Sequence, residues 1–141
     1  MTPNSQYHKD LPRFVAEEFV EGNFLGLPSK DGEPDIVVLQ VPYELTTSYG
    51  QGTAQGPAAC VAASGQVELF DPIIGEDLPA GYNIYTAPEW SGEGNTLQQQ
   101  LASISQYLSE WNNGITFPVI LGGEHGILPA VIDSLSDHPA L

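Results

Sequence analysis

Two apolar runs, DIVVLQVP (35–42) and ITFPVILGG (115–123), each give way to a glycine-bearing loop and then to a helix-forming stretch. A short β-branched run closed by Pro or Gly is the pattern of a strand buried on both faces. After the first run come YELTTSYGQGTAQG (43–56) and PAACVAASGQ (57–66). The latter reads as an Ala-rich helix that opens on Pro57 and ends near Gly65. After the second come GGEHG and ILPAVIDSL (127–135), where Pro129 is tolerable because it falls in the first turn. Strand and helix alternating through short connections predict an α/β fold with a parallel sheet. Parallel strands end on the same side, so loops 43–56 and 122–126 are predicted to share one rim, where such sheets collect ligand-binding groups.

The segments between are less decisive. QVELFD (66–71) suits a short strand or a helix extension, and its pattern does not separate the two. DPIIGEDLPAGYN is turn-rich, while YNIYTAPEW (82–90) predicts a short strand around Ile84-Tyr85. Asn95 or Thr96 is placed to cap a helix over 97–112. Its stripe of Leu97, Leu101, Ile104 and Leu108, with Trp111 close to the same face, reads as core, and Asn112-Asn113-Gly114 as the stop. Trp90 and Trp111 are expected to serve packing. Residues 1–34, rich in Pro, Gly, Asn and acids, read as an N-terminal extension. Its one apolar patch, Phe14-Val15 to Phe19-Val20, suits a helical turn or two.

Charge narrows the partners. The 141 residues, about one domain's worth, carry 18 Asp+Glu against 3 Lys+Arg, a net charge of −15. Such a chain repels phosphate backbones and anionic membranes, which disfavours nucleic acid and lipid. It suits a cationic substrate, or simply a solvated acidic face. Cys60 is the single cysteine, so no internal disulfide forms. No stretch reaches the roughly 18 apolar residues of a membrane span, and MTPNSQYHKDLPRF lacks the apolar segment of a signal peptide. The expectation is a soluble, cytoplasmic protein.

The residues with most chemistry are Gly122-Gly123-Glu124-His125-Gly126. Glycines at a strand end give the chain backbone freedom and close approach. A neutral imidazole beside a carboxylate can ligate a transition metal. Read on these residues alone, His125 is more readily a hydrogen-bonded structural histidine. The G-x-G-x-x-G spacing of a dinucleotide site is not present. In the stretch YELTTSY (43–49), the side chains of Thr46, Thr47 and Ser48 have the simpler role of turn and cap hydrogen bonds open to them. His8 reads as solvated, and Ser136-Asp137-His138-Pro139 as a turn.

Taken together, VPYELTTSYGQGTAQGP, the VELFD segment and LGGEHGIL, in that order, resemble the ureohydrolase family of arginase, agmatinase and formimidoylglutamase. The details look most like agmatinase, over about Asp35 to Asp133. The resemblance implies an arginase-like, partial three-layer α/β/α sandwich around a parallel sheet, with the C-terminal strands absent. It implies that 35–141 is the N-terminal part of a ureohydrolase domain. It further implies a binuclear manganese (Mn2+) site, with His125 as a ligand and Gly122, Gly123, Glu124 and Gly126 supporting its loop. The implied reaction is metal-assisted hydrolysis of a small guanidino substrate such as agmatine to urea and an amine. Polyamine biosynthesis and homo-oligomer formation follow from the same likeness. After the histidine the family often has Ser; here the residue is Gly126. The family's other ligands lie in D-A-H-x-D and D-x-D segments, and neither occurs in this sequence. The chain by itself is therefore expected to be inactive. The alternative is a non-catalytic binding or assembly module, or a truncated pseudoenzyme, that keeps this part of the fold.

Overall fold

The IVVLQV run does not alternate polar with apolar because both of its faces are covered. In the computed structural model, which describes residues 18–45 and 50–137, five of its six residues are buried. In chain order the elements are β1 (Ile36–Val41), α1 (Gly56–Ser64), β2 (Phe70–Asp71), β3 (Glu76–Asp77), β4 (Ile84–Thr86), α2 (Leu97–Ser109), β5 (Phe117–Gly122) and α3 (Leu128–Leu135). Single 3₁₀ turns lie at Phe24–Gly26, Thr53–Gln55 and His125–Ile127. β1 is central in a parallel sheet of order β4-β1-β5. Its register pairs Val37 with Tyr85 on one side, and Ile36 with Phe117 through Val41 with Gly122 on the other. The two predicted strand–helix units and the short strand at Ile84-Tyr85 are thus all present.

The helices start and stop for local reasons. α1 carries Pro57 in its first turn and ends at Gly65. α2 is opened by a capping box: Thr96 Oγ1 accepts from Gln99 N, while Gln99 Oε1 accepts from Thr96 N. It ends at Ser109 rather than 112. The Trp111 and Asn112 amides turn back to the carbonyls of Leu108 and Ser109, which tightens the exit before the Gly114 turn. Ile104 and Leu108 are fully buried, each contributing about 1.5–3 kcal/mol by burial. Leu97, expected in that stripe, is the first residue of α2 and is 38% exposed. The core joins Val37, Leu39 and Val41 of β1 to Tyr43, Trp90, Ile104, Leu108 and Ile127.

Only Phe70–Asp71 of segment 66–71 form a strand, β2, paired antiparallel with β3 as a small hairpin reaching into the stretch that reads as turns. Asp71 Oδ1 accepts from the Ile73 and Ile74 amides and closes it. The apolar patch Phe19-Val20 is not helical, and Phe14-Val15 lies outside the described residues. The one turn of helix nearby comes later, at Phe24–Gly26. That turn is tied down: the Phe24 amide donates to Thr86 Oγ1 at 2.8 Å and the Leu25 amide to Ser64 Oγ at 2.7 Å.

The N-terminal edge of the sheet is closed by polar side chains. Thr116, fully buried, donates from Oγ1 to the Pro34 carbonyl at 2.8 Å and accepts from Asn113 Nδ2 at 3.2 Å. Asp35 Oδ2 accepts from the Asn83 amide at 2.7 Å. Among the described residues, no helix is long and apolar enough to cross a membrane.

Candidate functional site

β1 and β5 are parallel neighbours that end level, Val41 against Gly122, so the chain leaves both strands side by side. The Gly123 amide donates to the Val41 carbonyl at 3.2 Å, and the Glu124 amide to the Tyr43 carbonyl at 3.0 Å. The described parts of loop 43–56, residues 43–45 and 50–56, and loop 122–126 therefore meet on one rim, as the strand order predicts. The glycines are there for space, not for unusual dihedrals: neither Gly122 nor Gly123 has a positive φ. A Cβ on Gly123 would lie 2.6 Å from the Tyr43 carbonyl oxygen and 2.7 Å from that of Thr53. Backbone on both sides leaves nothing to yield. A Cβ on Gly122 would lie 2.7 Å from Ile127 Cδ1.

Two carboxylates staple the rim. Glu124, half-buried, accepts the Leu45 amide on Oε2 at 2.9 Å. Glu44 accepts the Gly52 amide at 2.9 Å and the Ala54 amide at 3.1 Å. Those N–H groups, Ala54's first and then Gly52's, hold its carboxyl below the usual glutamate value. Glu44 thus caps the 3₁₀ turn at Thr53–Gln55 and closes the loop that begins at its own position. Gly52 takes φ +110°, which presents its amide to that carboxylate.

Tyr43 lies beneath both loops. Its side chain is 1% exposed, and its ring is tilted 52° against Trp90 at a centroid distance of 6.3 Å. Its Oη is the buried side-chain polar atom without a hydrogen-bond partner among the described residues, an arrangement that costs about 1–3 kcal/mol. Burial, and secondarily the charge of Glu124, push this hydroxyl's pKa up, so it stays protonated.

His125 starts the last 3₁₀ turn and is exposed at the rim. Tyr43, Glu44, Gly122, Gly123, Glu124, His125 and Gly126 thus come together. Thr46, Thr47, Ser48 and Tyr49 lie outside the described residues, as do His8 and His138. Sequence reasoning missed the Glu44 clamp and the Trp90 backing of Tyr43. An acid eight residues before Gly52 was a visible signal for the first. The second depends on packing between β1 and the segment after β4, which no local pattern encodes.

For a divalent cation the rim offers one imidazole. Among the described residues, no group of three or more His, Cys, Asp or Glu is arranged to hold an ion. The two nearest carboxylates of the loops are engaged with backbone amides. The residues present do not make a complete metal centre; they provide one donor on a braced turn.

These features define an α/β protein with a parallel sheet and a braced loop rim at the strands' C-terminal ends. The family profile described as Arginase matches residues 34–140, and the chain belongs to the arginase family. It is 29% identical over 109 residues to the N(1)-aminopropylagmatine ureohydrolase of Synechocystis sp., covering 71% of this chain and 34% of that protein. It is 28% identical over 103 residues to the agmatinase of Bacillus subtilis, covering 73% and 35%. The crystal structure of a hypothetical agmatinase from Burkholderia thailandensis superposes with a TM-score of 0.66 at 23% identity, covering 79% of this chain and 37% of that one. That likeness shows the arginase-type fold. The chain spans about a third of the length of the curated relatives it matches.

Proposed function

We propose that this chain is the N-terminal part of an agmatinase-like amidinohydrolase, a manganese-dependent hydrolase that releases urea from a small guanidino compound. In this reading residues 35–141 are the N-terminal portion of its domain, and His125 is one of the metal ligands. The observation that carries it is the single rim built from the Glu44 loop and the Gly122–Gly126 turn, which presents His125 from a braced backbone. Family membership supports the reaction class. The names of the relatives support agmatine, or an aminopropylated agmatine, as the kind of substrate. The net charge of −15 favours such a cation over anionic partners. In this account the metal supplies the activated water of amidine hydrolysis. The chain's own residues hold one ligand and fix its loop.

A second reading, a non-catalytic module of the same fold, is favoured by one observation: the described residues contain no ligand cluster. A urea-release assay with agmatine and Mn2+ separates the two. The chain alone is expected to release none. Joined after Leu141 to the remaining portion of the Bacillus subtilis agmatinase, it is expected to release urea, and His125→Ala to abolish that release. A joined protein that folds and binds Mn2+ yet releases no urea would favour the module.

A further inference from the structure

The two outer strands of the parallel sheet are finished differently. On the β4 side, the segment 24–30 is tied down at Thr86 and at Asn83, just before the strand begins. The Phe24 amide donates to Thr86 Oγ1 at 2.8 Å, the Lys30 amide to Asn83 Oδ1 at 3.2 Å, and Asn83 Nδ2 to the Lys30 carbonyl at 3.3 Å. β5 has β1 on one side and, among the described residues, no strand on the other. The Phe117 amide donates to the Asp35 carbonyl and the Gly123 amide to that of Val41, so the odd-numbered amides of β5 face β1. Those of Ile120 and Gly122 face the other way, where no described residue accepts from them. Proline and charge are the usual guards of a sheet edge. β5, FPVILG, has Pro118 early in that outward row and no charged residue.

The helix beside this edge has a bare flank of its own. α3 follows β5 and packs beside α2, where Ser105 Oγ donates to Asp133 Oδ2 at 2.9 Å. Ala130, Ser134 and Leu135 point inward and are buried. At 3.6 residues per turn, Leu128 and Ile132 share a flank turned away from α2, and both are exposed, as is Phe117 on β5. Parallel sheets are ordinarily covered on both faces, so apolar side chains bare on a strand and on its adjoining helix mark a surface for attachment.

We propose that the outer edge of β5, with the Leu128 and Ile132 flank of α3, is the docking site for a further parallel strand supplied by the remaining portion of an arginase-type domain. This rests on the reading of the chain as the N-terminal part of such a domain, whose matched relatives extend well beyond the third it covers. The incoming strand accepts from the Ile120 and Gly122 amides and sets apolar side chains against Leu128 and Ile132. Its parallel sense brings its C-terminal end to the rim that presents His125. A second copy of this chain fits the edge less well. A two-fold pair sets β5 antiparallel to its own copy, and each chain carries a net charge of −15.

Amide hydrogen exchange, read residue by residue by NMR, tests this in the full chain and in the chain joined after Leu141 to the remaining portion of the Bacillus subtilis agmatinase. In the chain alone, at a concentration where it sediments as a monomer, Ile120 and Gly122 should exchange at least about 100-fold faster than Val119 and Leu121, whose amides face β1. In the joined protein all four should exchange slowly. Leu128→Gln combined with Ile132→Gln should leave the Tm of the chain alone nearly unchanged and lower that of the joined protein. Slow exchange of Ile120 and Gly122 in the monomeric chain would overturn the proposal. So would protection that grows with the chain's concentration, which assigns the edge to a second copy, or fast exchange of both amides in a folded joined protein. If that joined protein does not fold, the corresponding portion of the Synechocystis sp. relative takes its place. Protection without urea release removes the catalytic reading and keeps the docking site; urea release without protection does the reverse.

Discussion

The two ends of the same parallel sheet are finished differently. At the N-terminal edge, Thr116, Asn113, Asp35 and Asn83 are knitted to backbone and to each other, and Thr116 is fully buried with its hydroxyl both donating and accepting. At the C-terminal edge, Tyr43 has a buried hydroxyl without a partner among the described residues, two carboxylates are engaged in stapling loops, and His125 is exposed. A structure that closes one end so fully has no difficulty satisfying polar groups. The other end is the one at which open α/β sheets collect ligand-binding groups.

The comparison can be broken most forcefully at Gly123. Gly123→Ala should destabilise the chain by about 3 kcal/mol, since its Cβ meets backbone oxygens of Tyr43 and Thr53 that cannot rotate away. Denaturant unfolding reads the loss, and a change below about 1 kcal/mol would mean that the two loops yield easily. At the opposite edge, Thr116→Val should cost about 1 kcal/mol by removing the buried hydroxyl that bonds the Pro34 carbonyl and the Asn113 side-chain amide. It should leave the His125 NMR signal unmoved, which separates the structural edge from the functional one.

Glu44 sharpens the contrast through pH. Its folded value lies below the ordinary 4.5, because the Ala54 and Gly52 amides favour the charged form. Its stabilisation is therefore fully present above that ordinary value and lost as pH falls through the lower folded value. The melting-temperature gap between wild type and Glu44→Gln should be widest above pH 4.5 and close as the medium becomes more acid. A gap independent of pH would show that the clamp does not depend on charge. The smallest effect belongs to the residue with the largest proposed role. His125→Ala should change stability by no more than about 0.5 kcal/mol, because its side chain is exposed.

Much of this was legible in residue order. The two strands, their parallel sense and the common rim follow from apolar runs separated by helix-forming stretches, since a parallel crossover leaves few other solutions. The expected burial holds for β1 alone, because β5 lies at the edge of the described sheet with Phe117 48% exposed. Thr96 as cap and Pro57 in the first turn follow from local chemistry that acts within a few residues. What stayed hidden was non-local or weakly patterned. The β2–β3 hairpin rests on two residues per strand, too short for periodicity to register. The exposure of Leu97 depends on tertiary packing, which its place in the apolar stripe does not reveal. The glycines at 122 and 123 were correctly placed at a strand end, but their reason is crowding by Tyr43, Thr53 and Ile127, not freedom of φ. His125 read on its own residues pointed to a structural histidine. Only the order of motifs around it, and the family match over residues 34–140, give weight to the metal reading.

That reading is tested most directly by counting metal. In the chain joined to the remaining portion of the Bacillus subtilis agmatinase, bound manganese is measured after exhaustive dialysis, for wild type and for His125→Ala. The account predicts two ions per joined chain in the wild type and a clear loss in the variant, with the fold retained. A variant that keeps both ions would contradict the assignment of His125 as a ligand.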